Sequence, residues 1–168
     1  RLTSPNPPEK PGWNLIFSDE FDSGTLNSQF WNRSNPWDDG IGTCFRNFSV
    51  NPENVTVENQ FAKISNTLIS MLPDCPFSGG EIKTLSVKDT GFKSYYFCAP
   101  GFVEVRVRLF NKTGQGASCW LWGVGTPEDP GGAGPWNEID LFELNGVNRN
   151  IFNATYHWTS QGSHVSQS

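Results

Sequence analysis

Short runs in which apolar and polar residues alternate dominate the chain, and Gly, Pro and Asn interrupt them every few residues. Alternation is typical of strands in an all-β sandwich, because successive residues of a strand lie on opposite faces. No window keeps a 3.6-residue apolar period, so little helix is expected. The runs predict strands near residues 13–22, 54–58, 61–65, 67–72, 80–87, 102–110, 117–124, 136–144 and 151–158.

The segments between these runs read as loops and a tail. Residues 1–12 are polar and Pro-rich, which is typical of an N-terminal tail, and residues 23–50 read as loops. Residues 126–135 form a Gly- and Pro-rich loop that leads into the run near 136–144. No stretch of 18 apolar residues occurs, so no membrane partner is expected.

The run Trp136-Asn137-Glu138-Ile139-Asp140-Leu141-Phe142-Glu143 carries the candidate chemistry. Glu138 and Asp140 share one strand face, but strict alternation would put Glu143 on the other. One β-bulge between Leu141 and Glu143 would bring Glu143 back to the face of the first two acids. The pattern therefore predicts a column of three carboxyl groups on one side of a sheet.

Two carboxyl groups placed this way would lie about 5–6 Å apart, which is the spacing of retaining glycosidases. In those enzymes one carboxylate attacks the anomeric carbon, while a protonated carboxyl group serves the leaving oxygen. The middle acid would push the pKa values of the outer two apart. Two other interpretations are an acidic, solvent-exposed strand face and a calcium site, although calcium sites usually lie on loops rich in Gly and Asn.

The run Glu138–Glu143 resembles the bulged E-x-D-x-x-E signature of glycoside hydrolase family 16. Five more segments are similar to motifs of that family and occur in its order; they are Ile16–Asp22, Asn54–Asn59, Ser78–Thr84, Gly101–Arg108 and Ala117–Gly123. The resemblance covers residues 13 to about 158. It implies a jelly-roll β-sandwich of two curved antiparallel sheets.

By this resemblance, Glu138 is expected to be the nucleophile, Glu143 the general acid/base and Asp140 the assisting acid. The expected activity is that of a secreted endo-β-glycanase on β-1,3- or mixed-linked glucan. An endo-β-galactanase acting on agar, porphyran or carrageenan is the alternative within the enzymes. A glucan-binding module without catalysis is the alternative from another class, although relatives of that kind lose the acids.

Aromatic side chains commonly form the platform on which a sugar ring packs. Trp120 and Trp136 are therefore predicted to line the cleft, Trp136 because it lies two residues before Glu138. His157 is expected to face the cleft from the following strand, as histidines do in family members. Asn47 and Arg46 are candidates to reach the sugar from the early loop.

The net charge of −5 over 168 residues argues against a nucleic-acid partner, which would need a basic patch. A polysaccharide substrate is expected instead. No cofactor and no catalytic metal are required by the chemistry, and a structural calcium ion is left open.

The four cysteines lack a C-x-x-C pair, so a zinc site is not indicated. Two disulfides with three alternative connectivities are compatible with the sequence. Loop-like flanks favour Cys44 with Cys75, whereas Cys119 in an apolar run is a candidate free thiol. Asn-x-Ser/Thr acceptors begin at Asn32, Asn47, Asn54, Asn111 and Asn153, which together with the cysteines suggests a secreted glycoprotein.

Domains of family 16 usually exceed 200 residues, and several strands follow their acidic strand. Residues 13–168 are therefore expected to be the N-terminal two-thirds of one catalytic domain. A further C-terminal segment or a partner chain would complete the sandwich, because exposed strand edges favour aggregation.

Overall fold

The computed structural model describes residues 9–33, 48–68, 77–84, 100–110, 114–123, 137–144, 151–160 and 163–168. The chain divides into two compact units, Arg1–Phe102 and Val103–Ser168. Nine strands and one turn of 3-10 helix make up the regular structure of the described residues, which is all-β as predicted. No helix in these ranges has the length and apolar character needed to cross a membrane.

The first unit holds two small sheets. Strands β1 (Phe48–Val50), β5 (Phe77–Gly79) and β4 (Thr67–Leu68) form one sheet in that spatial order, with β1 parallel and β4 antiparallel to β5. Strands β2 (Val55–Glu58) and β3 (Phe61–Ile64) form the second as an antiparallel hairpin.

The hairpin turns at Asn59 and Gln60, which have φ of 52° and 65°. Two consecutive positive φ values define the tight turn whose twist matches that of the paired strands. The strands predicted near residues 54–58 and 61–65 are therefore confirmed. An exposed salt bridge also joins the two strands, with 2.8 Å between Lys63 Nζ and Glu58 Oε1.

Buried Asn54 joins the two sheets of this unit. It ends the 3-10 turn Pro52–Asn54 and is 6% exposed. Its amide nitrogen donates to Ser78 Oγ at 2.8 Å and to the Gly79 carbonyl at 3.1 Å. Its amide oxygen accepts from Thr67 Oγ1 at 3.1 Å. A polar side chain is stable here because every hydrogen-bonding atom of its amide group has a partner.

Among the predicted glycosylation acceptors, Asn54 therefore has a buried and engaged amide nitrogen. Asn32 is half-buried, and its backbone exchanges two hydrogen bonds with Lys83. Asn153 is exposed. Asn47 and Asn111 lie outside the described residues.

The second unit is built on one antiparallel sheet of four strands in the order β6-β7-β8-β9. These are β6 (Ala117–Gly123), β7 (Asn137–Leu144), β8 (Phe152–Ser160) and β9 (Ser163–Gln167). Cys119 on β6 is a half-buried free cysteine, and burial raises the pKa of its thiol. The predicted pairing of Cys44 with Cys75 lies outside the described residues, as does Cys98.

Two predicted strands are absent from the described residues. Residues 13–22 are not a strand, and the Asp19 side chain there bonds to the backbone of Phe21. Its Oδ1 accepts the Phe21 N–H at 2.8 Å, and Phe21 has φ of 53°, which no strand can hold. Residues 102–110 form no ladder with any described residue, so the predicted strand is wrong there too.

Other strands differ from their predicted boundaries. The strand predicted at 80–87 lies earlier, at β5, and residues 80–84 contribute only the isolated bridge of Lys83 to Asn32. Of the run at 67–72, the described part is β4. Strands β1 and β9 were not predicted, since 23–50 read as loops and the last residues read as a polar end.

Replacing Asn54 by alanine is expected to lower the free energy of unfolding by about 2–3 kcal/mol. The change removes three hydrogen bonds and leaves Ser78, which is fully buried, short of a partner. Urea titration of both proteins would measure the difference. Asn66→Ala, at an exposed position in the same unit, should change stability by less than about 0.5 kcal/mol. Equal losses in both variants would contradict the role given to Asn54.

Candidate active site

The acidic run forms β7, which lies between β6 and β8 in the four-stranded sheet. Glu138 pairs with Trp122 on β6 and His157 on β8, and Asp140 pairs with Trp120 and Thr155. Side chains directly opposite each other across a ladder lie on the same face. The register therefore surrounds the first two acids with two tryptophans, a histidine and a threonine.

A bulge in β7 brings in the third acid. Asp140 pairs with Thr155 and Glu143 with Asn153, so Leu141 and Phe142 together lie opposite the single residue Ala154. On the β6 side the ladder likewise skips one residue of β7 between Cys119 and Trp120. The predicted bulge is confirmed, and with it the placement of Glu143 on the face of Glu138 and Asp140.

The three carboxyl groups differ in their exposure to solvent. Asp140 is buried at 4% exposure, Glu138 is half-buried, and Glu143 is exposed. The middle acid is satisfied by His157, whose Nε2 lies 2.9 Å from Asp140 Oδ2. A buried carboxylate needs such a partner, because an isolated charge is costly to remove from water. The predicted 5–6 Å between the outer carboxyl groups stays a prediction.

Electrostatics set Glu138 apart. Burial raises the pKa of Glu138 from its ordinary 4.5 to about 7, and the charge of Asp140, a hydrogen bond to Asp140 and the charge of Glu143 act in the same direction. The charge of His157 opposes the shift. Glu138 therefore keeps its proton over part of the range in which an ordinary glutamate is ionised.

A metal is the competing use of these groups. Glu138, Asp140 and His157 offer ligand atoms that all lie within 4.8 Å of one another, the one such cluster among the described residues. Calcium takes six to eight oxygen ligands, whereas this group supplies two carboxyl groups and one imidazole. His157 Nε2 is already bonded to Asp140. The cluster therefore does not fit a structural calcium ion. A calcium site elsewhere in the chain stays a prediction.

Five of the eight predicted site residues lie on this face; they are Glu138, Asp140, Glu143, Trp120 and His157. Trp120 is 41% exposed beside Asp140, so its ring is accessible to a ligand. The sequence-predicted Trp136, Asn47 and Arg46 lie outside the described residues.

The structure adds residues that the sequence analysis missed. Trp122 stands opposite Glu138, and Thr155 is buried beside Asp140, where its hydroxyl lies 3.0 Å from Ser168 Oγ. His164 on β9 contacts His157, with 2.9 Å between His164 Nε2 and His157 Nδ1. The alternation of His164, Ser166 and Ser168 could have indicated a strand, but the run has no apolar face to mark it.

Comparison with known proteins gives a likeness in structure and none in sequence. The chain matches no family model, and no curated protein matches it in sequence. One solved structure comes from work on the endo-acting O-glycanases that prominent members of the human gut microbiota express to initiate mucin breakdown. It has a TM-score of 0.58 and 16% identity, and the match covers 96% of this chain and 60% of that one.

A second solved structure is the β-porphyranase of the human gut bacterium Bacteroides plebeius, with a TM-score of 0.46 and 19% identity. The match covers 95% of this chain and 61% of that one. The chain thus spans about 60% of the length of these proteins. The first likeness establishes the fold alone, an all-β jelly roll, as predicted.

Glu138→Gln is expected to gain stability over the wild type as pH rises. Between pH 4.5 and about 7 the folded chain binds more protons at Glu138 than the unfolded chain does, so ionisation there disfavours the folded state. Wild-type stability from this group falls through that window, whereas the glutamine has no such slope. Denaturant titrations at pH 4.5, 6 and 8 would measure the widening gap.

Glu53→Gln serves as the control, since it makes the same chemical change at an exposed position of the first unit. A stability difference between Glu138→Gln and wild type that stays constant over the range would contradict the perturbed ionisation of Glu138.

Proposed function

We propose that the chain is the acid-bearing part of a secreted, retaining endo-glycanase that cleaves within β-linked polysaccharide chains. The observation that carries this proposal is the bulge of β7, which places Glu138, Asp140 and Glu143 on one sheet face. A structural protein gains nothing from three acids in that arrangement, since like charges on one face are destabilising. The shared fold with an endo-acting O-glycanase supports the same class of activity.

In this proposal Glu138 attacks the anomeric carbon, and the bond from that carbon to the leaving oxygen breaks. Glu143 gives its proton to the leaving oxygen as the bond breaks. Water then attacks the glycosyl ester on Glu138 and returns a proton to Glu143, so both groups end as they began. No cofactor enters these steps.

Asp140 is proposed to assist as a carboxylate that accepts a hydrogen bond from Glu138 while Glu138 is protonated. The carboxyl group of Asp140 is hydrogen-bonded to Glu138 and to His157 at once, so it can accept from both. Hydrogen bonds to a carboxylate stabilise its charged form, which suits an acid that assists without reacting.

Trp120 is proposed as a sugar platform. Its exposed ring stands directly opposite Asp140, one strand away from the proposed nucleophile. Sugars pack the apolar face of their rings on such aromatic groups, while polar groups of the site bind the hydroxyls. Trp122, opposite Glu138, continues the same face.

The substrate is proposed to be a β-1,3- or mixed-linked glucan, with an algal galactan as the alternative. The first solved structure comes from work on O-glycanases that initiate mucin breakdown, and the second is named a porphyranase. Mucin and porphyran are therefore included in the same test. Product analysis on laminarin, mixed-linked glucan, agarose, porphyran and mucin would separate the classes. Binding to a glucan with no cleavage of any polymer would favour the glucan-binding alternative. The assay should use the full-length protein, because we propose that a further C-terminal segment or a partner chain completes the sandwich.

A 2-deoxy-2-fluoro glycoside of the preferred sugar is expected to label Glu138. Fluorine at C2 slows both formation and hydrolysis of the glycosyl ester, and an activated leaving group on the glycoside restores the rate of formation, so the covalent intermediate accumulates. Intact mass and peptide mapping would identify the residue. Glu138→Gln should remain unlabelled, and Glu53→Gln should label like the wild type. A label on Glu143 would reverse the proposed roles, and the absence of any covalent species would argue against retention.

The pH dependence of kcat/KM gives a second check on the roles. If Glu138 is the nucleophile, kcat/KM should rise with pH through about 7, because the carboxyl group must first lose its proton. If Glu138 were the proton donor, kcat/KM would fall through the same range. Initial rates from pH 5 to 9, with unfolding monitored over the same range, distinguish the two.

A further inference from the structure

His157 has both ring nitrogens engaged, which the chemistry proposed so far does not require. Its Nε2 lies 2.9 Å from Asp140 Oδ2, and its Nδ1 lies 2.9 Å from Nε2 of His164. The two imidazole planes are within 20° of each other. A continuous chain of hydrogen bonds therefore runs from the buried acid, through a half-buried histidine, to an exposed histidine on the edge strand β9.

The register of β8 and β9 explains why the two histidines meet. Thr159 pairs with His164 and His157 pairs with Ser166, so His164 is the diagonal neighbour of His157 on the same face. Long side chains span such diagonal positions. Other residues with ionisable side chains on this face come from β7 alone among the described strands, namely Glu138, Asp140 and Glu143.

We propose that His164 is a positioning residue that holds His157 as a cation against Asp140 and so keeps the proposed nucleophile Glu138 ionised. The inference rests on the function proposed above. A cationic imidazole needs an acceptor at each nitrogen. Asp140 Oδ2 is the acceptor on one side, and the lone pair of His164 Nε2 is the acceptor on the other.

The contact between the two imidazoles accommodates this arrangement. One proton between His157 Nδ1 and His164 Nε2 makes a hydrogen bond, whereas two would set N–H groups against each other at 2.9 Å. With His157 as the donor in this contact, the proposed positive charge lies beside the carboxyl groups of β7. A positive charge on His157 lowers the pKa of Glu138, against the effect of burial and of its acidic neighbours.

Two substitutions at His164 separate charge support from mere packing. His164→Leu removes the acceptor. The pH at which kcat/KM reaches half its plateau should then rise by about half a pH unit, which is the Coulomb effect of one nearby charge in a solvent-accessible site. His164→Gln keeps an acceptor in its amide oxygen and should restore the wild-type profile. Gln167→Leu, exposed on the same strand and on the other face, is the matched control and should leave the profile unchanged.

An unshifted profile in His164→Leu would overturn the proposal, and so would equal shifts in the leucine and glutamine variants. The second result would mean that contact area, and not hydrogen-bond acceptance, is what His164 supplies.

Carbon-13 NMR titration of the Glu138 carboxyl group, in the full chain and without substrate, keeps this test independent of catalysis. The midpoint for Glu138 should rise in His164→Leu and return in His164→Gln. If the protein cleaves no glycan but shows these midpoints, the proposed function is wrong and the role of His164 is supported. If the protein is an active enzyme but its Glu138 midpoint is the same in both variants as in the wild type, the role of His164 is wrong and the proposed function is unaffected.

Discussion

The bulge at Leu141 and Phe142 is the constraint on which the site depends. A strand with strict alternation would turn Glu143 to the face opposite Glu138 and Asp140. Placing two residues of β7 opposite Ala154 restores the phase, and all three acids then project beside Trp120, Trp122 and His157. Both neighbouring ladders resume their pairing beyond the bulge, so it is held from either side.

Collecting three carboxyl groups on one face is electrostatically unfavourable, and the structure offsets the cost in two ways. Burial and its acidic neighbours raise the pKa of Glu138 to about 7, which reduces the negative charge of the group at neutral pH. The buried Asp140 is bonded to His157, which in turn contacts His164. Sites that perform acid–base chemistry are where such costs are tolerated, because the same shifts bring protonation states into the working range.

Regular alternation predicted most of the second unit. Strands β6, β7 and β8 lie within two residues of their predicted bounds, because each is a run with a marked periodicity of two. Predictions were wrong where a side chain competes with the ladder, as Asp19 does in residues 13–22. They also failed at residues 102–110, where an alternating sequence belongs to no sheet of the described strands, and at β9, whose polar run has no apolar face.

By itself, the sequence determined the periodicity of the acidic strand, the need for a bulge within it and the identity of its three acids, since these follow from residues close in the chain. Only the tertiary structure decided which residues face those acids from β6, β8 and β9, because pairing register depends on contacts distant in sequence. The location of the proton was decided there as well. Burial and the hydrogen bond to Asp140 single out Glu138 from Glu143, and neither property can be assigned to a residue before its neighbours in space are known.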